Sequence, residues 1–192
     1  MQDYALILHP ADPLACVAVA EREAVLQAMG VVGAQLAADW YAAGPHLLDH
    51  VTFLGCSPVV RLAVTCDEGP GFCRLRLPPP LPHPIWRGSL EGSAPRCPRC
   101  RTPEATWPLP LAAWESDPAA SQCTCSSCGY GAPLHRWRLR EAAGFGRSFV
   151  ELWGIHPGEA VPGEAFLDAL AQCSGGSWCW FYAGAPSPTS LP

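Results

Sequence analysis

Apolar and polar positions fall into short blocks separated by Pro and Gly. Tyr4, Ala5, Leu6, Ile7 and Leu8 form a continuous apolar run of strand length, which reads as a buried strand stopped by His9-Pro10-Ala11-Asp12-Pro13. Asp12 can cap a helix and Pro13 can occupy its first turn. Leu14, Val17, Val25 and Met29 then follow an approximately helical spacing up to Gly30. Ala18-Val19-Ala20 blurs that period, so the first half also admits a strand. A second helix is expected over 34–43, broken by Gly44-Pro45. Val51, Thr52 and Phe53 predict a strand, Gly55-Cys56-Ser57-Pro58 a turn, and 59–65 a return strand. After another turn at 66–71, residues 72–77 alternate apolar side chains with Arg74 and Arg76, as a half-exposed strand does. These three strands are expected to be antiparallel.

Pro78-Pro79-Pro80-Leu81-Pro82-His83-Pro84 reads as a stiff extended linker or spacer, with polyproline recognition as the sharper alternative. Beyond residue 135, Arg136-Trp137-Arg138-Leu139-Arg140 alternates like a strand, and 148–155 is a strongly apolar strand. A long turn over 156–163 leads to a helix over 164–173, with Ala165, Phe166, Ala169 and Leu170 on one side and Gly175-Gly176 at its end. Residues 177–182 read as a final strand. Strand, helix, strand can form a crossover unit, although the pattern does not give the strand order. The expected fold is α+β: a mixed or antiparallel sheet with a few short helices and an inserted small module. The expected organisation is an N-terminal α+β half (1–77), a Pro-rich linker (78–95), the module (96–140), a β-α-β segment packing on the N-terminal half (141–183) and a flexible tail (184–192).

Composition narrows the class. A chain of 192 residues with 49% hydrophobic and 15% charged side chains can bury a sizeable core. Its 22 Pro and 18 Gly predict many turns without reaching the range of disordered chains. No run approaches the roughly 20 apolar residues of a membrane span, and Met1-Gln2-Asp3-Tyr4 offers no basic stretch before the first apolar block. The expectation is therefore a cytoplasmic protein without a membrane partner. Its 11 cysteines are then read as thiols and metal ligands, and their odd number excludes complete internal pairing. Net charge is −5, but it is uneven. The span 61–147 carries 11 Arg against 7 acids, whereas the remainder has Arg22 alone against 10 acids. Every cation is Arg, which excludes a Schiff-base lysine and a Gly-Lys-Ser/Thr phosphate loop.

The strongest chemical signal is Cys97-Pro98-Arg99-Cys100 paired with Cys125-Ser126-Ser127-Cys128-Gly129, the two separated by residues 101–124. A Cys-x-x-Cys turn sets two sulfurs on one side of a tight hairpin, and two such turns complete a tetrahedral shell. Gly129 is placed to relieve the second turn. Over about residues 95–140 the sequence resembles the zinc-ribbon class. The resemblance implies one structural zinc ion on Cys97, Cys100, Cys125 and Cys128, in a closed site with no open position for catalysis. The separation exceeds the commonest spacing, so the insert carrying Trp107, Pro108, Pro110 and Trp114 is expected to loop out. Cys123 is an alternative ligand, and a redox thiol pair or an iron–sulfur cluster would use the same residues.

Weaker constellations remain. Cys56 on a strand-to-turn elbow, with His46 and His50 nearby in sequence, has the elements of a thiol enzyme. His156 and Glu159 in a turn after a strand offer an acid/base pair. Cys173 and Cys179 flank Gly175-Gly176 and read as core thiols. Trp137, Trp153, Trp178 and Trp180 fall in expected strands and read as core, whereas Trp86, Trp107 and Trp114 lie in Pro-rich surroundings that are harder to bury. Exposed Trp beside Arg suits a protein-binding surface, here Arg99, Arg101, Trp107, Trp114 and Arg136. It also suits a single-stranded nucleic-acid platform, which the net acidity disfavours. The leading expectation is a zinc-binding, non-catalytic accessory or adaptor protein that contacts another protein. Nucleic-acid binding and a Cys56 thiol enzyme are the alternatives.

Overall fold

The computed structural model describes residues 4–54, 73–88, 94–117, 122–139 and 143–184. The apolar run at the N-terminus becomes β1 (Tyr4–Pro10). It is hydrogen-bonded on both sides, to β10 (Val150–Trp153) and to β12 (Trp178–Gly184). Side chains alternate across it. Leu6 and Leu8 enter the larger core, while Ala5 and Ile7 enter a smaller one on the opposite face with Phe149, Trp153 and Phe181. Burial on both faces explains why β1 reads as a continuous apolar block and not as an alternating one.

Six strands form the main sheet, in the order β12-β1-β10-β5-β3-β2, with β2 (Val32–Ala37), β3 (Trp40–Ala43) and β5 (Arg74–Arg76) completing it. Every neighbouring pair is antiparallel. Because β10 and β12 both run opposite to β1, they are parallel to each other across it, and the chain between them is a crossover. That crossover carries β11 (Ala160–Pro162) and α4 (Glu164–Ser174), which buries Phe166 and Leu170 and ends on Gly175 in the left-handed region (φ 71°).

Three sequence expectations are corrected. The helix expected over 34–43 is the β2–β3 hairpin. Leu36 and Trp40 have a helical spacing, but the neighbouring strand decides. Trp40 packs under the Arg74 and Arg76 guanidiniums of β5, at 4.9 and 5.5 Å from its ring centre. Arg76 also bonds Asp39 in the hairpin turn at 2.8 Å. A Cβ on Gly33 would meet the Ala43 carbonyl at 3.0 Å, so this close pairing leaves little room for a side chain. The first helix, α1 (Val19–Ala28), begins later than Pro13. Asp12 instead accepts the Leu14 N–H at 3.0 Å, and Val17 is held extended by Ser148 Oγ at 2.9 Å. Finally, β4 (Val51–Phe53) pairs with β11 and β5 with β3 and β10, so the expected antiparallel trio does not form from these two. The expected return strand at 59–65 lies outside the described residues.

The stretch read as a spacer lies along the sheet. Arg22, fully buried, donates to the Phe149 carbonyl and, at 2.8 Å, to the Pro78 carbonyl. Leu81 N–H reaches the Arg147 carbonyl at 2.8 Å, and Arg147 Nε returns to the Leu81 carbonyl at 2.7 Å. The chain continues into β6 (Ile85–Gly88), which pairs with β9 (Ala143–Gly146). Leu81 and Ile85 thereby cover the second face of the sheet. Between β6 and β9 lies the cysteine module, with α3 (Pro108–Ser116), β7 (Gln122–Thr124), β8 (Gly131–Pro133) and a 3-10 turn (Leu134–Arg136). The strand expected at 136–140 is reduced to this turn and a single bridge from Arg138 to Arg96. With α2 (Leu47–His50), the described residues hold four short helices, and the class is α+β with mainly antiparallel sheets.

Candidate metal centre

Each Cys-x-x-Cys segment is closed by its own backbone. In the first, Cys97 N–H donates to the Thr102 carbonyl at 3.0 Å and Arg101 N–H to the Cys97 carbonyl at 2.9 Å. In the second, Cys125 N–H donates to Tyr130 O at 2.9 Å and Gly129 N–H to Cys125 O at 3.0 Å. The residue after the second cysteine is left-handed in both, Arg101 at φ 64° and Gly129 at φ 69°. The two turns are thus built alike, and only one has the residue type that adopts this conformation freely.

The turns face each other. Cys97 Sγ lies 3.8 Å from Cys128 Sγ, Cys100 Sγ lies 3.6 Å from Cys125 Sγ, and all four sulfurs fall within 4.8 Å of one another. A tetrahedral ion with metal–sulfur bonds of about 2.3 Å sets its sulfurs about 3.8 Å apart. The four residues can therefore hold a metal ion, and they are the metal-ligating group found among the described residues. Their protonation states differ. Thr102, beside the Cys100 sulfur at 3.3 Å, pulls that thiol down to about 6. Cys128 moves the other way. Although the Tyr130 backbone N–H lowers it, burial and the three neighbouring sulfurs push it up to about 12. Four thiolates this close cannot coexist without a cation among them. Cys97 and Cys125 are buried, and Cys100 reaches solvent. Cys123 stays outside the ligand group, on β7 opposite Ala132, with its thiol pushed up to about 11 chiefly by burial.

The module has its own apolar core, and here the sequence expectation about tryptophan is corrected. Trp107 and Trp114 are 1% and 3% exposed, so neither offers a ring to a partner. The insert does not loop out but forms α3. Pro108 and Pro110 both fall in the first turn, where the missing N–H groups would lack helical partners in any case. Trp107 packs on Trp137 and Trp86 (5.8 and 6.3 Å between ring centres), and Trp114 meets Phe145 edge-on at 5.1 Å. Trp86 and Phe145 belong to β6 and β9, so this core joins the module to the strands that carry it.

One residue that sequence reasoning missed braces the two turns. Glu104, 2% exposed, accepts the Ser126 backbone N–H at 2.9 Å and the Thr106 hydroxyl at 2.8 Å. The Ser126 N–H, then the Thr106 hydroxyl, hold its carboxyl below the usual range. Ser126 lies inside the second Cys-x-x-Cys, so the carboxylate ties the first arm to the second. An acid seven residues after Cys97 gives no sequence signal for this, because its partner is reached only through the tertiary fold.

Arg99, Arg101, Arg136 and Arg138 are exposed around the centre. Arg96 and Arg138 are directly opposite in an antiparallel bridge, with reciprocal N–H···O bonds of 2.9 and 3.0 Å. The other candidates have local duties. Cys56 lies outside the described residues. His46 Nδ1 is 2.9 Å from Asp49, and His50 Nε2 is 3.2 Å from the Met29 carbonyl. The Glu159 carboxylate accepts the backbone N–H of His156 at 2.9 Å, closing its own turn, while the His156 ring packs on Tyr4 at 5.3 Å. Cys173 is half-buried and Cys179 exposed, both as free thiols, so neither is the core thiol expected.

A cavity of 520 Å³ opens where the module meets the sheet, lined by His9, Cys179 and Trp180 from the sheet and His135, Trp137 and Phe145 from the other side. No described helix is long and apolar enough to cross a membrane. Compared with known protein families, curated proteins and solved structures, the chain matches none.

Proposed function

We propose that this chain is a zinc-stapled, non-catalytic adaptor whose cysteine module presents an arginine face to an acidic surface of another protein. The observation that carries the reading is the Arg96–Arg138 bridge, flanked by Arg99, Arg101 and Arg136. Like charges set directly opposite on paired strands repel, and Glu104 is occupied by the Ser126 and Thr106 bonds. An incoming row of carboxylates relieves that repulsion, and guanidinium pairs with carboxylate in bidentate geometry. Zinc is favoured because the donors are four thiolates at tetrahedral separations, leaving no site for water. Such an ion contributes folding free energy and performs no chemistry.

Two measurements test the reading. Elemental analysis of the purified chain is expected to give one zinc per chain, whereas iron with visible charge-transfer absorption would make the centre a cluster. Affinity purification from the native host is then run with the wild-type chain and with an Arg99→Ala/Arg101→Ala/Arg136→Ala variant. A protein retained by the first and lost by the second supports the adaptor reading, and identical or empty eluates overturn it. Nucleic-acid binding is the second reading, favoured by the same arginines. Burial of Trp107 and Trp114 removes the stacking platform that single strands use, and a salt titration with single-stranded and duplex probes decides it.

A further inference from the structure

We propose that the cavity between the module and the sheet binds a small, uncharged, planar aromatic molecule carrying a hydrogen-bond donor, which His9 Nε2 accepts. His9 comes from the end of β1 and is 8% exposed. Its Nδ1 lies 2.9 Å from the Pro10 carbonyl. A carbonyl only accepts, so Nδ1 carries the proton and Nε2 keeps a bare lone pair. Among the described residues nothing donates to Nε2. The ring is fixed by Phe181 and Phe149, whose centres lie 5.6 and 6.3 Å away. Its Nε2 edge turns towards Gly144 in the cavity wall, where a Cβ would sit 2.5 Å from Nε2. The missing side chain makes room for the ring edge against this strand. This acceptor is held rigidly beside a cavity.

The walls define the rest of the ligand. Trp180, half-buried, gives flat apolar surface, and the edges of the buried Trp137 and Phe145 rings complete the wall. Among the described residues, no Arg, Asp or Glu lines it, and an uncharged ligand asks for none. A volume of 520 Å³ falls within the range of small-molecule sites, about 300–1,000 Å³. The His135 imidazole and Cys179 thiol supply secondary polar contacts.

Indole has the required shape, size and donor, and 1-methylindole differs by losing the N–H. The experiment follows the His9 imidazole nitrogens by long-range proton–nitrogen NMR in the full-length, metal-loaded chain during titration with each. A saturable Nε2 shift with indole is expected at a dissociation constant of about 1 mM, typical for a molecule of this size. 1-Methylindole should bind about fivefold more weakly, the worth of one hydrogen bond. His9→Asn, which keeps an amide for the Pro10 carbonyl but removes the acceptor, should abolish the preference. No saturable shift up to the solubility limit of indole, equal affinity for the two probes, or an unchanged preference in His9→Asn each overturns the proposal. The comparison of the two probes on the wild-type chain decides it even where the variant fails to fold.

Discussion

Lowering the pH from 8 to 5 is expected to cost the fold about 2 kcal/mol through His9 alone. Burial lowers the His9 pKa from 6.5 to about 4, with the Pro10 carbonyl opposing only in part. Between those values the unfolded chain binds a proton that the folded chain does not. The His9 contribution is therefore complete above about 6.5, falls as pH drops through the window to about 4, and is constant below it. The full shift of roughly 2.5 units corresponds to about 3 kcal/mol at about 1.4 kcal/mol per unit, and some two-thirds is spent by pH 5. His135, whose pKa is lowered by burial, adds loss of the same sign. The metal ligands titrate as well. Both effects are common to wild type and to His9→Asn, so the difference between the two chains isolates His9. Urea unfolding followed by tryptophan fluorescence at pH 8, 7, 6 and 5 measures it. The variant should start less stable and close the gap by about 2 kcal/mol at pH 5. A gap that stays constant across the series would refute the argument that His9 is held neutral by burial.

Four further outcomes follow from the packing. Chelation of the metal should red-shift tryptophan emission, because Trp107, Trp114 and Trp137 are buried in the core that the cysteines close; unchanged emission after metal loss would contradict the structural role. Arg101→Gly should stabilise the module by about 1 kcal/mol by removing left-handed strain, while Gly129→Ala should cost a similar amount, both read as shifts in the metal-loaded unfolding midpoint. Arg22→Ala should cost about 3 kcal/mol or more in urea unfolding, since it strands the Phe149 and Pro78 carbonyls inside the core. Glu104→Gln should cost about 1–2 kcal/mol by weakening charge-assisted bonds across the two turns, measured as faster metal transfer to a chelator together with a lower unfolding midpoint.

Local rules act over a few residues, and what they govern was readable from the sequence. The four ligands were legible because Cys-x-x-Cys geometry depends only on its own turn. The same holds for β1, β10, α4 and β12, whose apolar blocks match the strand and helix periods and whose ends carry Pro or Gly. The β2–β3 hairpin was misread because Leu36 and Trp40 satisfy a helical spacing, whereas pairing to β5 supplies the stabilisation that fixed the strand. Exposure was the least legible property. Trp107 and Trp114 looked like surface residues among prolines, yet α3 folds them against β6 and β9, which are distant in sequence. Nothing in the local sequence marks Arg22 as buried, and its burial became acceptable only when Phe149 and Pro78 brought their carbonyls to it. Glu104 and His9 follow the same logic, because the Ser126 N–H and the Gly144 gap exist only in the assembled fold. The sequence alone determined which four cysteines could hold a metal ion and the elements with the strongest periods, β1, β10, α4 and β12, since these depend on spacing along the chain. The tertiary structure decided which polar groups are buried, which rings are exposed and where the cavity lies, since burial is set by segments that meet only after folding.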